Sequence, residues 1–92
     1  MNLEKIGLKL QRGAVQVVDD TLKTHVPNIY AIGDVTGRIQ LAHVASHEGI
    51  HAVTNALRGE NRAVDYKAVP NCVYTVPEVA AVGLSQSEAE AQ

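Results

Sequence analysis

Tryptophan and phenylalanine are absent from these 92 residues, and Tyr30, Tyr66 and Tyr74 are the only large aromatic side chains. Any core must therefore do without the big aromatic anchors that dominate most protein interiors. Cysteine occurs once, at Cys72, which excludes an internal disulfide and any Cys-x-x-Cys redox or zinc pair, and a reduced, cytoplasmic compartment is expected. A basic run is also missing. Eight Lys plus Arg against ten Asp plus Glu leave a net charge of −2, so neither nucleic acid nor a membrane surface is an expected partner. No apolar run exceeds a few residues, and the N-terminal stretch carries Glu4 early, so neither a transmembrane helix nor a signal peptide is expected. A chain this short buries only about 60 to 65% of the surface exposed when unfolded. Its 46% apolar share comes mainly from Ala, Val, Leu and Ile and supports one modest core.

Along the chain, Leu3, Ile6, Leu8 and Leu10 around Gly7 suit a short helical turn running into an extended piece. Gln11-Arg12-Gly13 signals a turn, and the β-branched run 14–18, closed by Asp19-Asp20, predicts a strand. A loop through Val26-Pro27-Asn28 leads to Ile29-Tyr30-Ala31-Ile32, four apolar residues that predict a buried strand ending at Gly33-Asp34. The longest periodic segment follows and predicts a helix over 41–57, with Leu41, Val44, Ala45, Ile50, Val53 and Leu57 as its apolar positions. Arg58-Gly59 supplies a basic last turn and a glycine stop. Residues 59–65 read as a polar linker, with a boundary near 65, and 66–77 as extended structure interrupted by prolines. Ser85 and Glu88 have capping-box spacing and predict a helix start at 85, one that three or four further residues cannot stabilise alone.

Three constellations could carry chemistry. His47-Glu48-Gly49-Ile50-His51 matches His-Glu-x-x-His, in which two zinc ligands lie one helical turn apart beside a glutamate base. The next turns offer Thr54 and Leu57 rather than a third ligand, which leaves Glu60 and Glu78 as outside candidates, and a polar helix face is the plainer reading. His43, His47 and His51 form a ladder at i, i+4 and i+8 that could take a transition metal adventitiously or simply be solvated. Gly33-Asp34 at a strand end, followed by a helix beginning near Gln40-Leu41-Ala42-His43, is the more specific arrangement. Glycine permits close backbone approach, the Asp34 carboxylate can accept from ligand hydroxyls, and a helix N-terminus offers open N–H groups to an anion or a carbonyl. Taken by itself, Gly-Asp is a turn.

The whole context resembles the pyridine nucleotide–disulfide oxidoreductases, and within them the branch that oxidises dihydrolipoamide. The matching residues are Leu3-Glu4-Lys5-Ile6-Gly7, the run Thr24-His25-Val26-Pro27-Asn28-Ile29-Tyr30-Ala31-Ile32-Gly33-Asp34-Val35, and Gln40-Leu41-Ala42-His43 with Glu48-Gly49. A second block, from Tyr66 to Pro70 and from Val73 to Ser85, is similar to the start of that family's dimerisation domain. The resemblance implies an α/β fold: residues 1–65 as the return segment of a Rossmann-like FAD-binding domain, and 66–92 as the first elements of an α+β dimerisation domain. It implies FAD contacts from Gly33, Asp34, Gln40, Leu41, Ala42 and His43, with Asp34 at the ribityl or pyrophosphate part and 40–43 along the flavin. It also implies NAD as the second cofactor, a homo-oligomer, and membership of 2-oxoacid dehydrogenase complexes.

The family's Gly-x-Gly-x-x-Gly segment, its redox cysteine pair, its NAD domain and its catalytic His and Glu have no counterpart here, and Cys72 matches neither redox cysteine. A fragment without turnover of its own is therefore the expectation, with no catalytic residue in it and FAD not retained. The alternatives are an autonomous small binding module derived from the family, and a zinc hydrolase built on His47-Glu48-x-x-His51.

Overall fold

The computed structural model describes residues Met1 to Gln92. A 3-10 turn, Leu3–Ile6, opens the chain and ends at Gly7. Strands β1 (Leu10–Gln11) and β2 (Ala14–Val15) then pair antiparallel, Leu10 opposite Val15 and Gln11 opposite Ala14. Arg12 and Gly13 between them both have positive φ, 51° and 84°, the backbone a two-residue hairpin turn needs to match strand twist. The strand expected over 14–18 is therefore shorter. Past Val15 one more bond keeps the hairpin register, Gln16 N–H donating to the Lys9 carbonyl, and the chain then bends and changes partner, Val18 N–H donating to the carbonyl of Lys23, so the ladder does not continue.

The buried strand expected at 29–32 is also reduced. Tyr30 makes a single bridge with Lys23, while Thr24 N–H donates to Ile29 O and Ala31 N–H to Leu22 O. A buried strand needs neighbours on both edges, and here only residues 22–24 supply one. Ala31 is buried whereas Ile32 is exposed. A 3-10 turn, Gly33–Thr36, follows directly.

Helix α1, Ala42–Arg58, carries the fold. It ends as expected, with Gly59 at φ 66° and its N–H donating to Asn55 O at 3.1 Å. The face it buries differs from the predicted apolar one. Val44, Glu48, Ala52 and Asn55 are buried, whereas Ile50, Val53 and Leu57 point outward, Leu57 with 81% exposure. Of the apolar positions expected to form the inner face, only Val44 is fully buried. Asn55 explains part of this choice. Its Nδ2 donates to the carbonyls of Thr21 (3.1 Å) and Arg62 (2.9 Å), and its Oδ1 accepts from Arg62 N–H (2.8 Å). One side chain thus satisfies three backbone groups of two loops, which no aliphatic residue could do.

Two small apolar clusters result. Leu8, Val15 and Ala31 form one, with Leu3, Leu10, Val17, Val26 and Ile29 around them. Leu22, Ala52 and Val64 form the other, with Tyr30 and Tyr66 against it. Beyond Val64 no residue is buried. The extended stretch expected over 66–77 divides into a 3-10 turn, Tyr66–Ala68, and strand β3, Asn71–Val73, which pairs antiparallel with β4, Val79–Ala81. Asp65 caps the 3-10 turn by accepting from Lys67 N–H at 3.0 Å. Helix α2, Gln86–Glu90, starts with the capping box read from Ser85 and Glu88. The radius of gyration, 15.5 Å, exceeds the roughly 12 Å of a compact chain of this length, because the exposed C-terminal third adds length rather than core.

Asn55→Ala is expected to lower unfolding free energy by about 2 to 4 kcal/mol, since it strands buried backbone groups. Leu57→Ala, at an exposed site of the same helix, is expected to stay within about 0.5 kcal/mol. Urea titration of both variants checks this, and equal losses would contradict the assignment of the buried face.

Candidate functional site

The sequence Ile32-Gly33-Asp34 arrives from an extended segment and turns sharply. Gly33 has φ 66°, and a Cβ at that position would sit 3.1 Å from the Cβ of Ala45, so the turn packs its backbone directly on the first turn of α1. Both peptide groups of Gly33 are held. Its N–H donates to Glu48 Oε2 at 2.6 Å, and its carbonyl accepts from Thr36 Oγ1 at 2.8 Å. Asp34 next to it is exposed, and its carboxylate has no hydrogen bond or ion pair within the chain.

Across from this turn, α1 begins without a side-chain cap. Leu41 stands at the N-cap in extended conformation, and the first amide of the helix region to find an acceptor is Ala45 N–H, donating to Leu41 O. The N–H groups of Ala42, His43 and Val44 are therefore open, at the positive end of the helix dipole. Gln40, Ala42 and His43 are exposed and Leu41 is half-buried. His43 Nε2 donates to the Pro70 carbonyl at 3.1 Å, which ties the helix start to the segment after Tyr66. All six residues singled out for FAD thus lie on two adjacent elements: Gly33 and Asp34 on the 3-10 turn, and Gln40 to His43 at the entry to α1.

Glu48 occupies a different place from either reading of its sequence neighbourhood. It is 1% exposed, and besides Gly33 it engages Tyr66, whose hydroxyl donates to Oε1 at 2.6 Å. Burial, reinforced by the bond to Glu48, pushes the Tyr66 hydroxyl pKa far up, so it remains a donor. The Arg38 guanidinium lies 4.6 Å above the Tyr66 ring and pairs with Asp20 at 2.6 Å. Partial burial opposes the charge on Arg38, but the bond to Asp20 and the nearby acidic groups outweigh it and raise its pKa.

This geometry argues against a hydrolase built on His47-Glu48-x-x-His51. A general base must face solvent and substrate, whereas both oxygens of Glu48 are committed to internal donors. Nor does the ladder act as a unit. His43 is engaged with Pro70, the rings of His47 and His51 lie 4.6 Å apart and tilted by 58°, and no three His, Cys, Asp or Glu side chains are grouped to hold a metal ion. The plainer reading of solvated histidines also fails for His51, whose Nδ1 is buried without a partner.

Sequence reasoning missed Arg38, Tyr66 and Asn55, and misplaced Glu48. One signal could have found two of them: Glu48 and Asn55 share a helical stripe with Val44 and Ala52, so two polar residues stand at core spacing.

A sequence profile described as "Pyridine nucleotide-disulphide oxidoreductase" matches residues 1–49. The dihydrolipoyl dehydrogenase of Chlamydia muridarum is 51% identical over 92 residues, all of this chain and 20% of that protein. That of Bacillus subtilis is 45% identical, covering 98% of this chain and 20% of its own length. Among solved structures, LpdA from Mycobacterium tuberculosis superposes with a TM-score of 0.83 at 40% identity, over 98% of this chain and 20% of that one. The HOCl-induced flavoprotein disulfide reductase RclA from Escherichia coli gives 0.80 at 35% identity, over 100% and 21%. The chain thus spans about a fifth of the length of the relatives it matches.

Two glycines with the same backbone angle allow a controlled test of the close packing. Gly33 and Gly59 both have φ 66°, but a Cβ at Gly59 meets nothing within 4 Å. Gly59→Ala is expected to cost about 1 kcal/mol from conformation alone, and Gly33→Ala about 1 to 2 kcal/mol more from displacing the turn. Thermal unfolding of the pair measures the difference, and equal losses would show that the turn does not need its close approach to Ala45.

Proposed function

This chain belongs to the pyridine nucleotide-disulphide oxidoreductase family, and from that membership we propose that it is part of a dihydrolipoyl dehydrogenase, an enzyme that oxidises dihydrolipoamide and reduces NAD. When bound, FAD supplies the two-electron relay between a thiol pair and the nicotinamide. The chain's own share is binding and orientation, and no residue in it is assigned a bond-making role. The observation that carries the reading is the pairing of a free Asp34 carboxylate with three open amides at the start of α1, on elements packed together. A carboxylate suits ribityl hydroxyl donors, and open helix N–H groups suit a pyrophosphate or a flavin carbonyl. Gly33, Asp34, Gln40, Leu41, Ala42 and His43 would hold the cofactor, and the dipole of α1 would favour negative charge on it.

In this reading residues 1–65 close an FAD-binding domain and 66–92 open a dimerisation domain. The confinement of every buried residue to positions up to Val64 supports that division. A cytoplasmic site of action in a 2-oxoacid dehydrogenase complex belongs to the same proposal. The exposed Cys72 thiol agrees with a reducing compartment, and no helix is long and apolar enough to cross a membrane.

The test is flavin retention. The full-length protein carrying this segment is expected to purify yellow and to reduce NAD with dihydrolipoamide. Asp34→Ala is expected to weaken FAD by about tenfold or more, the scale of one hydrogen bond to a charged group. Residues 1–92 alone are expected to be colourless after dialysis, because much of the cofactor surface lies elsewhere. A full-length protein that carries no flavin would refute the proposal, and stoichiometric flavin on the isolated segment would refute the shared-site account.

Assembly is a separate expectation. Val73, Val76, Val79, Val82 and Leu84 are all exposed around the β3–β4 hairpin, and the hairpin edges are unpaired. We therefore expect the isolated chain to form dimers or larger oligomers through the region from Tyr66 onward. Light scattering reporting a monodisperse 9.8 kDa monomer at high concentration would contradict this.

A further inference from the structure

We propose that Glu48 is a positioning residue for the cofactor site: it sets the backbone of the Asp34 turn, and it does so only when the segment beginning at Tyr66 is seated against α1. The inference rests on the reading that Asp34 contacts FAD. The 3-10 turn has no side-chain cap of its own, since Ile32 precedes it, so the amide that begins the turn depends on Glu48. Thr36 holds the other side of the same glycine, and together the two bonds fix the peptide planes on either side of Gly33. Asp34 follows at once and has no internal partner to orient it. The direction in which its side chain leaves the backbone is therefore set by the Gly33 peptides.

The second oxygen of Glu48 reaches Tyr66, which lies past the polar linker and outside helix α1. Tyr66 is held in turn by Arg38 above its ring, and Arg38 by Asp20. A continuous path thus runs from Asp20 through Arg38, Tyr66 and Glu48 to Gly33. An aliphatic side chain would fill the space at position 48, but it would leave the Gly33 N–H and the Tyr66 hydroxyl without partners. A buried carboxylate is costly, and one that accepts from the turn next to a free aspartate and from a tyrosine beyond the linker fits precise placement better than packing. Glutamine has the same shape and can keep both bonds, its Oε1 accepting from Gly33 and its Nε2 donating to a tyrosine hydroxyl turned to accept.

The experiment uses the full-length protein carrying this segment. FAD affinity is measured by titrating the apoprotein, the environment of bound flavin by visible circular dichroism, and stability by thermal melting. Glu48→Ala is expected to weaken FAD by about tenfold and Tyr66→Phe by about threefold, with altered visible dichroism, as befits lost hydrogen bonds to a charged group. Glu48→Gln is expected to restore affinity and dichroism to within about twofold of the wild type. Tyr66→Phe keeps the ring under Arg38 and removes only a hydroxyl, so it carries the test should Glu48→Ala not fold. Variants that melt earlier yet bind FAD with wild-type affinity and dichroism would overturn the inference alone, as would a Gln variant no better than Ala. A wild-type protein without flavin would overturn the proposed function and this inference with it.

Discussion

A carboxylate buried to 1% exposure is the constraint around which the rest of this chain is arranged. Taking such a group out of water costs several kcal/mol unless donors replace its hydration. Glu48 finds them in the Gly33 amide and the Tyr66 hydroxyl, which come from different parts of the chain. Satisfying one side chain therefore brings three pieces together: the 3-10 turn, helix α1 and the start of the C-terminal segment. Arg38 over the Tyr66 ring and Asp20 beyond it extend the arrangement to the turn after β2.

Polar bonding carries more of the architecture here than apolar burial does. Six of the seven buried hydrophobic residues fall in two clusters and none of the seven is aromatic, which makes a thin core. Asn55 ties two loops to α1 through backbone groups, and the Asp19–Thr21 turn is closed by bonds that also hold the Asp19 carboxyl below its usual range. Such contacts are directional. They place backbone precisely where hydrophobic packing alone would tolerate sliding, and the Gly33-Asp34 turn sits among them.

The outward apolar residues tell the same story from the other side. Ile50, Val53 and Leu57 lie at i, i+3 and i+7 on α1, spacing that suits a second packed layer, and the C-terminal hairpin exposes a further apolar surface. Helix α1 accordingly has two working faces, one bonded inward by polar groups and one apolar and open.

Signals that depend on neighbours in sequence were legible without coordinates. The turn at Gln11-Arg12-Gly13, the helix closed by Gly59, the Ser85–Glu88 capping box and the Gly33-Asp34 turn before a helix start all follow from local stereochemistry. The family follows as well, because its residues recur in order along nearly the whole chain. Tertiary structure alone decided the rest. Ile29 to Ile32 has strand composition, yet a strand exists only where another segment offers hydrogen bonds on its edge, and here just one side is supplied. The α1 pattern likewise pointed Ile50, Val53 and Leu57 inward, because periodicity weighs apolarity and not the unpaired backbone groups waiting at Gly33, Thr21 and Arg62. Those groups lie between 7 and 34 residues away from the side chains that satisfy them. Sequence spacing carries no record of such distances. The fate of Glu48, read as a zinc-site base or a polar surface, was set by which donors folding brought to it.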